Sequence, residues 1–253
     1  MLRFESLAND KRSGFNIEWI GQAGFIFRLS NGTVICIDPY YSNSIERYEG
    51  KACRRLWYNK FIIESFTPDY VLCSHDHLDH TDPETLPLIY AYSKAIFYGP
   101  ESSIEHMKKM KFSDKRMCLL EADREFLLCD FSIIPKRTRH TEDSVGFLIK
   151  HEGYSIYFTG DTALDDSLDF LKDEKIDILI ACVNGKYNNM SINDSAQLCR
   201  DIGAGVIIPM HYGLITNNTV DVNDIRNIYD HWCLNYFIPK IEKNYKITRS
   251  SND

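Results

Sequence analysis

The residues best suited to chemistry lie together in the segment Ser74-His75-Asp76-His77-Leu78-Asp79-His80. Imidazole and carboxylate groups are ligands for zinc, manganese and iron. His75 and His77 lie two positions apart, so an extended backbone points both side chains the same way. Asp79 and His80 follow where the chain turns, and they can face a second point nearby. A polar loop that is rich in histidine by chance is the less favoured interpretation, because four ligand-type residues share this spacing.

Three further candidate ligands lie later in the chain, each beside a predicted strand. His140 precedes one strand, Asp161 follows another after Gly160, and His211 ends a third. Each of them alone is more often structural, for instance Asp161 as a helix N-cap. Together with the first segment they place seven ligand-type side chains at strand-to-loop junctions. Such a placement is what a metal site at one edge of a sandwich would require.

The elements that must position these residues begin as short β-type segments and continue as strands that alternate with helices. The predicted strands are residues 17–20, 25–29, 33–37, 69–73, 95–98, 132–134, 145–149, 154–158, 176–181 and 206–208. Helices are predicted from residue 83, over 101–111, from residue 191 and over 222–232. Asn31-Gly32 predicts a hairpin, and Ser191 with Asp194 predicts a helix N-terminus. This order favours a two-sheet sandwich with helices on both outer faces.

One domain spanning residues 1–253 is expected, because no linker or low-complexity segment divides the chain. Residues 40–59 fit neither a strand nor a helix pattern, and we interpret them as a long surface loop over the site. The net charge of −7 disfavours broad binding to nucleic acid. None of the eight cysteines forms a C-x-x-C pair, which predicts free thiols, several of them buried, in a reducing compartment. Without an apolar signal or membrane segment, a cytoplasmic protein is expected.

The order and spacing of these motifs resemble the metal-binding signature of the metallo-β-lactamase superfamily. The resemblance runs from about Trp19 to Gly213. It implies an α/β (α+β) fold, a four-layer αββα sandwich. Asp38 in Ile37-Asp38-Pro39 resembles a supporting aspartate at the floor of the site. The resemblance implies one metal held by His75, His77 and His140, a second held by Asp79, His80 and His211, and Asp161 shared between them.

Finer motifs resemble one branch, the L-ascorbate-6-phosphate lactonase family. They are Trp19-Ile20-Gly21-Gln22-Ala23-Gly24-Phe25, Asn184-Gly185-Lys186, Asn189-Met190 and Pro209-Met210-His211-Tyr212-Gly213. This resemblance implies a cytoplasmic, manganese-favouring hydrolase that opens a sugar lactone, and it implies a homo-oligomer.

The resulting hypothesis is a hydrolase in which two divalent ions, manganese or zinc, activate a shared water as hydroxide. Asp79 and His211 are the predicted catalytic residues, and Asp79 could take up the proton of the nucleophile. The expected substrate is a small, phosphorylated, sugar-derived lactone. Candidate contacts for it are Arg54, Arg55, Asn184, Lys186 and Tyr212, although each cation alone is more often a solvated surface charge.

Three alternatives remain at this point. A phosphodiesterase or nuclease would use the same two-metal site, but the acidic balance of the chain disfavours it. An iron-bearing redox protein is the second alternative, since metal identity does not follow from ligands alone. A binding module without catalysis is the third, and it would be expected to lack some ligands. We expect Asp76 to face away from the metals, and we interpret His106, His151 and His231 as surface residues.

Overall fold

The computed structural model describes residues 2–6, 15–58 and 66–249 of the chain. The strands of its first half are β1 (Leu2–Ser6), β2 (Asn16–Gly21), β3 (Gly24–Arg28), β4 (Val34–Ile37), β5 (Tyr70–Leu72), β6 (Ile96–Gly99) and β7 (Met117–Leu119). Those of the second half are β8 (Phe126–Leu128), β9 (Phe131–Arg137), β10 (Val145–His151), β11 (Tyr154–Phe158), β12 (Ile178–Cys182), β13 (Val206–Met210) and β14 (Asn244–Arg249). The α-helices are α1 (Ser44–Glu49), α2 (Thr85–Tyr92), α3 (Glu101–Lys109), α4 (Ile192–Asp201) and α5 (Val222–His231).

Two mixed sheets form the centre of the protein. The larger has the order β1-β14-β2-β3-β4-β5-β6-β7, and the smaller has the order β13-β12-β11-β10-β9-β8. Strands β4 to β7 are parallel to one another, and so are β11 to β13. Because β9 and β11 both pair antiparallel with β10, their carboxyl ends also point to one edge. That edge is where ligands bind in sheets of parallel strands.

The core lies between the two sheets, and a second apolar layer covers the outer face of the larger one. Phe25 and Phe27, two positions apart on β3, meet Phe158 and Phe131 of the smaller sheet at ring-centroid distances of 6.2 and 5.4 Å. Ile26 points the opposite way and packs with apolar residues of α2 and α3. This alternation follows from the two-residue period of a strand. With α4 packed on β12, the predicted αββα sandwich is confirmed.

Local sequence signals account for most of these elements. The Asn31-Gly32 turn joins β3 to β4, which pair antiparallel. At the start of α4, the Ser191 hydroxyl accepts from the Asp194 N–H, and the Asp194 carboxylate accepts from the Ser191 N–H at 2.8 Å. Both signals act through contacts within a few residues, which is why the sequence predicts them.

Strands β1, β7, β8 and β14 were not predicted from the sequence. Strands β7 and β8 have three residues each, too few for a period of two to stand out. Strand β14 alternates properly, with Tyr245 and Ile247 buried, but it inserts between β1 and β2 from the far end of the chain. Such a long-range pairing has no local signal.

The segment predicted as a loop over residues 40–59 is instead partly helical. It contains α1 and a 3₁₀ turn at Lys51–Cys53. Helices this short bury only a few side chains, here Ser44, Ile45 and Cys53, so they leave a weak periodic signal. Asn59, the last residue of that prediction, lies outside the described residues.

The interpretation of His151 as a surface residue was wrong. Its side chain is buried between the rings of Phe15 and Phe131, at centroid distances of 5.3 and 5.6 Å. Its Nδ1 lies 3.1 Å from the carbonyl oxygen of Asp130, which satisfies one ring nitrogen. His231, in contrast, is exposed as expected.

All eight cysteines are free. Five of them are buried, as predicted for thiols in apolar segments, whereas Cys129 and Cys233 are exposed and Cys118 is partly buried. Within the described part of the chain, no helix is long and apolar enough to cross a membrane. A reducing, cytoplasmic location stays a prediction.

Candidate metal centre

Seven ligand-type side chains converge at the edge where the carboxyl ends of the strands meet. The segment after β5 carries His75, His77, Asp79 and His80. The other three follow β9, β11 and β13 and belong to the smaller sheet: His140, Asp161 and His211. The parallel direction of these strands is therefore the reason that residues far apart in sequence meet here.

The first three-residue group consists of His75, His77 and His140. One ring nitrogen from each lies within 4.8 Å of the other two. His77 Nδ1 and His140 Nε2 are 3.1 Å apart. Three imidazoles that converge at this spacing can surround one divalent cation.

The second group consists of Asp79, His80 and His211, whose ligand atoms also lie within 4.8 Å of one another. His211 Nε2 lies 3.3 Å from Asp79 Oδ2, and His80 Nε2 lies 3.8 Å from Asp79 Oδ1. All three residues are buried, so their charges interact with little screening by solvent.

Asp161 lies between the two groups. Its Oδ2 is 3.2 Å from His211 Nε2, 3.6 Å from His80 Nε2 and 3.7 Å from His140 Nε2. It therefore contacts members of both groups, as a carboxylate shared between two metals would.

The donor set fits divalent metal ions. His75 Nε2, His80 Nε2 and Asp161 Oδ1 are buried and have no hydrogen-bond partner among the described residues. A buried polar atom left without a partner costs about 1–3 kcal/mol, so several such atoms in one place fit a site for a metal ion. Nitrogen and carboxylate oxygen together suit zinc, manganese or iron.

Asp38, which follows β4, contacts both Ser74 and the candidate ligand His80. Its Oδ1 accepts from the Ser74 N–H at 2.7 Å, and its Oδ2 accepts from the Ser74 hydroxyl at 2.6 Å. His80 Nδ1 lies 2.7 Å from the same Oδ2, so this nitrogen donates and Nε2 turns toward the cluster. Burial raises the pKa of Asp38, although His80 and Ser74 act to lower it. Asp38 therefore contacts a candidate ligand and the residue before the ligand segment, and its supporting role stays a prediction.

The backbone is strained at several points of the centre. Asp38, His211 and Gln22 have φ angles of 45°, 66° and 50°, in the left-handed region that side chains with a Cβ rarely adopt. Gly160 has a φ of 58°, and a Cβ there would lie 2.8 Å from the carbonyl oxygen of Val145. Such strain persists only where the surrounding structure enforces it, and it is frequent at functional sites.

Electrostatics divide the histidines into two classes. Burial, with the charge of His80, holds the pKa of His75 well below its ordinary value, and burial lowers the pKa of His140 to about 4. Burial also opposes protonation of His211, but the nearby Asp161 and Asp79 outweigh it and raise its pKa to about 9. Asp161 is itself held ionised, because His211 and His80 lower its pKa more than burial raises it. A metal ion that binds here would displace the proton from a histidine with a raised pKa, such as His211.

A cavity of about 390 Å³ opens above the cluster. Five of the candidate ligands form its floor: His77, Asp79, His140, Asp161 and His211. One part of its wall is apolar and consists of Ile45, Leu78 and Ile215. The polar part includes Glu49, Asp76, His106, Asn217 and Asn218, and Tyr187 also lines the cavity.

One interpretation from the sequence is wrong at this cavity. Asp76 was expected to face away from the metals, yet it lines the wall, and so does His106, whose predicted surface position did not indicate a place in the site. Asp76 Oδ2 lies 4.0 Å from His106 Nε2, and each side chain is about one third exposed, at 31% and 35%. The position of α3 beside the segment after β5 brings them together, and local sequence does not reveal it.

The predicted substrate contacts Arg55 and Tyr212 do not line the cavity. Arg55 is 5% exposed, and its guanidinium donates to the carbonyl oxygens of Tyr40, Ser42 and Trp57 at 3.3, 2.8 and 3.2 Å. It therefore holds the segment around α1 in place. Tyr212 is buried and stacks on Trp19 with ring centroids 4.9 Å apart.

The other predicted contacts also lie outside the cavity lining, although two of them support it. Asn184 Nδ2 donates to Asn218 Oδ1 at 2.7 Å, and Lys186 Nζ donates to the carbonyl oxygen of Asn217 at 2.5 Å. They position wall residues. Arg54 is exposed and outside the lining.

Sequence reasoning gave no role to two residues that contact the candidate ligands. Gln22 Nε2 donates to Asp79 Oδ2 at 2.9 Å, and Asn189 Nδ2 donates to Asp161 Oδ2 at 2.7 Å. Both belong to motifs that resemble the lactonases, which was the available signal. Their partners became visible only in the tertiary structure.

Comparison with known proteins agrees with this geometry. A family profile described as "Beta-lactamase superfamily domain" matches residues 16–211, most of the chain. The protein belongs to this superfamily.

Similar proteins come from archaea and bacteria. A UPF0173 protein of Pyrococcus furiosus is 30% identical over 202 residues, which cover 78% of this chain and 83% of the relative. A protein of Thermodesulfovibrio yellowstonii named UPF0173 metal-dependent hydrolase is 28% identical over 229 residues, covering 81% and 82%. Both relatives align with this protein over most of their own length.

Solved structures share the fold. An isothiocyanate hydrolase from Delia radicum gut bacteria has a TM-score of 0.75 at 19% identity and covers 90% of this chain and 98% of its own. Igni18, a metallo hydrolase from Ignicoccus hospitalis, has a TM-score of 0.73 at 18% identity and covers 94% and 99%. At this identity the likeness concerns the fold.

Proposed function

We propose that this protein is a metal-dependent hydrolase that opens small lactones or related carboxylic esters. The observation that carries the proposal is the convergence of seven ligand-type side chains, five of which form the floor of a cavity of about 390 Å³. A cavity of this size suits a small molecule. The name metal-dependent hydrolase, given to the relative from Thermodesulfovibrio yellowstonii, supports the reaction class.

In this proposal, some residues of the site bind the metal ions and others orient those ligands. His75, His77 and His140 would hold one manganese or zinc ion, Asp79, His80 and His211 a second, and Asp161 would contact both. Bound there, such ions supply Lewis-acid activation of water and of the scissile carbonyl. Gln22 and Asn189 hold one oxygen each of Asp79 and Asp161, which fixes the carboxylates before substrate enters.

In this proposal, Asp79 takes up the proton of the attacking water. It lines the cavity, and the Gln22 amide hydrogen-bonds its Oδ2. His80 and His211 keep its pKa below the ordinary value although burial opposes them, so the carboxylate is ionised at neutral pH. Oδ1 is then the atom that would accept the proton.

The cavity wall favours an uncharged substrate over the phosphorylated lactone expected from the family resemblance. Glu49 and Asp76 add two carboxylates to those of the floor, and like charges repel a phosphate group. The apolar part of the wall offers a surface for hydrocarbon. A lactone or ester without a phosphate is therefore the substrate class that we propose.

The test starts from protein purified without added metal and analysed for bound elements. After addition of manganese or zinc, turnover is measured on a γ-lactone, an aryl ester, bis(p-nitrophenyl) phosphate and an isothiocyanate. We expect about two metal ions per chain and turnover of the lactone or ester. Asp161→Ala should lose metal and activity, whereas Asp173→Ala, which removes an exposed carboxylate, should keep both.

Other results would replace the proposal. Turnover of the phosphodiester alone would identify the protein as a phosphodiesterase. Turnover of the isothiocyanate alone would show that water attacks the isothiocyanate carbon and not the carbonyl carbon of a lactone or ester. One iron ion per chain without hydrolysis would favour redox chemistry. Full metal content and activity in Asp161→Ala would contradict the shared ligand.

A further inference from the structure

Tyr187 occupies a strained turn beside the candidate metal centre. Tyr187 and Asn188 have φ angles of 56° and 62°, and the Asn189 N–H donates to the Lys186 carbonyl oxygen at 3.0 Å. Positive φ at both central positions is what a type I′ turn requires, and glycine, asparagine and aspartate dominate such turns. A bulky tyrosine is an outlier there.

The turn itself has a function that does not need tyrosine. It presents Asn189, whose amide holds Asp161, and asparagine at position 187 would support the same backbone without the strain. The tyrosine side chain does not compensate by burial, because it is 59% exposed. Its side chain makes no hydrogen bond or ring stacking with the described residues of its own chain.

The position of Tyr187 in the cavity indicates what its side chain could contact. Tyr187 lines the same cavity as the candidate ligands, and the apolar wall of Ile45, Leu78 and Ile215 lines that cavity too. These three residues belong to one hydrophobic cluster that joins α1 to the segment after β13. An aromatic ring and an aliphatic wall in one cavity are suited to an apolar group.

We propose that Tyr187 is a specificity-determining residue that covers an apolar substituent of the substrate. This inference rests on the proposed function, since it names a part of the lactone or ester that the same site would take. The ring contacts the substituent and takes no part in bond breaking. Strain in the free protein is the cost of keeping the ring at the mouth.

The test compares the variants Tyr187→Asn and Tyr187→Phe with the wild type in the metal-loaded protein. Two γ-lactams, one unsubstituted and one with a hexyl group, serve as probes, because the ring amide resists hydrolysis. Binding is followed by NMR titration, and thermal unfolding by circular dichroism. Repeating the titrations after chelation separates ring contacts from metal contacts.

We expect Tyr187→Asn to raise the unfolding midpoint by about 2–4 °C, because it relieves a strained φ. Loss of the apolar contact between the ring and the hexyl group should raise its Kd for the hexyl lactam about tenfold. The Kd for the unsubstituted lactam should not change. Tyr187→Phe should match the wild type for both probes.

Three outcomes overturn the inference. They are an unchanged Kd of Tyr187→Asn for the hexyl lactam, an equal loss for both lactams, and a lowered unfolding midpoint. If the wild type opens lactones but gains no affinity from the hexyl group, this inference alone fails. If the wild type neither opens lactones or esters nor binds either lactam, the proposed function fails together with it.

Discussion

Replacement of Gly160 by alanine tests whether the fold is built around a close backbone approach at the metal centre. The φ of 58° puts the residue in the left-handed region, where a Cβ costs about 1–2 kcal/mol. In addition, the Cβ would lie 2.8 Å from the carbonyl oxygen of Val145. Val145 pairs with Arg137 of β9 and donates its N–H to the Ser74 carbonyl oxygen at 3.0 Å, so its own carbonyl has little freedom to move. Overpacking of this kind costs about 1–3 kcal/mol.

Gly203 offers a matched control. Its φ is 62°, almost the same as that of Gly160, but no heavy atom lies within 4 Å of a Cβ built there. Gly203→Ala should therefore lower the free energy of unfolding by about 1–2 kcal/mol through the backbone alone. Gly160→Ala should lower it by about 2–5 kcal/mol, because strain and close contact act together.

The assay is equilibrium unfolding in urea, followed by tryptophan fluorescence with a chelator present so that metal binding does not contribute. The informative quantity is the difference between the two variants, which should be about 1–3 kcal/mol. Gly160→Ala should also bind metal more weakly, since it displaces the neighbouring Asp161. Equal destabilisation of the two variants would refute the close-approach reasoning.

Three further predictions concern the same region. Asp38→Asn should weaken metal binding about 10- to 100-fold, because the charge that orients His80 is lost; competition with a chelating dye measures this, and unchanged affinity would contradict the orienting role. Arg55→Met should lower the free energy of unfolding by about 2–4 kcal/mol, because three buried carbonyl contacts are lost. Urea unfolding measures it, and Arg54→Ala, at an exposed position, should stay within about 0.5 kcal/mol of the wild type. Metal affinity should rise between about pH 6 and pH 9, because the raised pKa of His211 keeps it protonated until its proton is displaced. Calorimetry in buffers of different ionisation enthalpy should detect proton release at neutral pH, and its absence would exclude a protonated His211 in the metal-free protein.

The sequence alone was sufficient to predict those structural features that arise from interactions between neighbouring residues. The two-residue period of β3, the turn at Asn31-Gly32 and the cap at Ser191 all arise from contacts within a few residues. The segment from His75 to His80 is equally local, because its spacing sets which way each side chain points. Such features follow from backbone geometry and do not depend on what packs against them.

The meeting of His140, Asp161 and His211 with that segment was predicted from motif order, and the reason for it is the shared direction of β9, β11 and β13. Strand direction in a sheet depends on pairings between distant segments. The periodicity of the sequence does not reveal such pairings, so the prediction that these residues meet depended on the family resemblance.

Only the tertiary structure decided what surrounds the candidate metals. Arg55 looked like an exposed cation and proved to be buried against backbone carbonyls, whereas Asp76 and His106 looked peripheral and proved to line the cavity. The partners of Gln22 and Asn189 lie 57 and 28 residues away. Which side chain faces a cavity depends on how helices and loops pack on the sheets, and packing is a property of the whole chain rather than of a short segment.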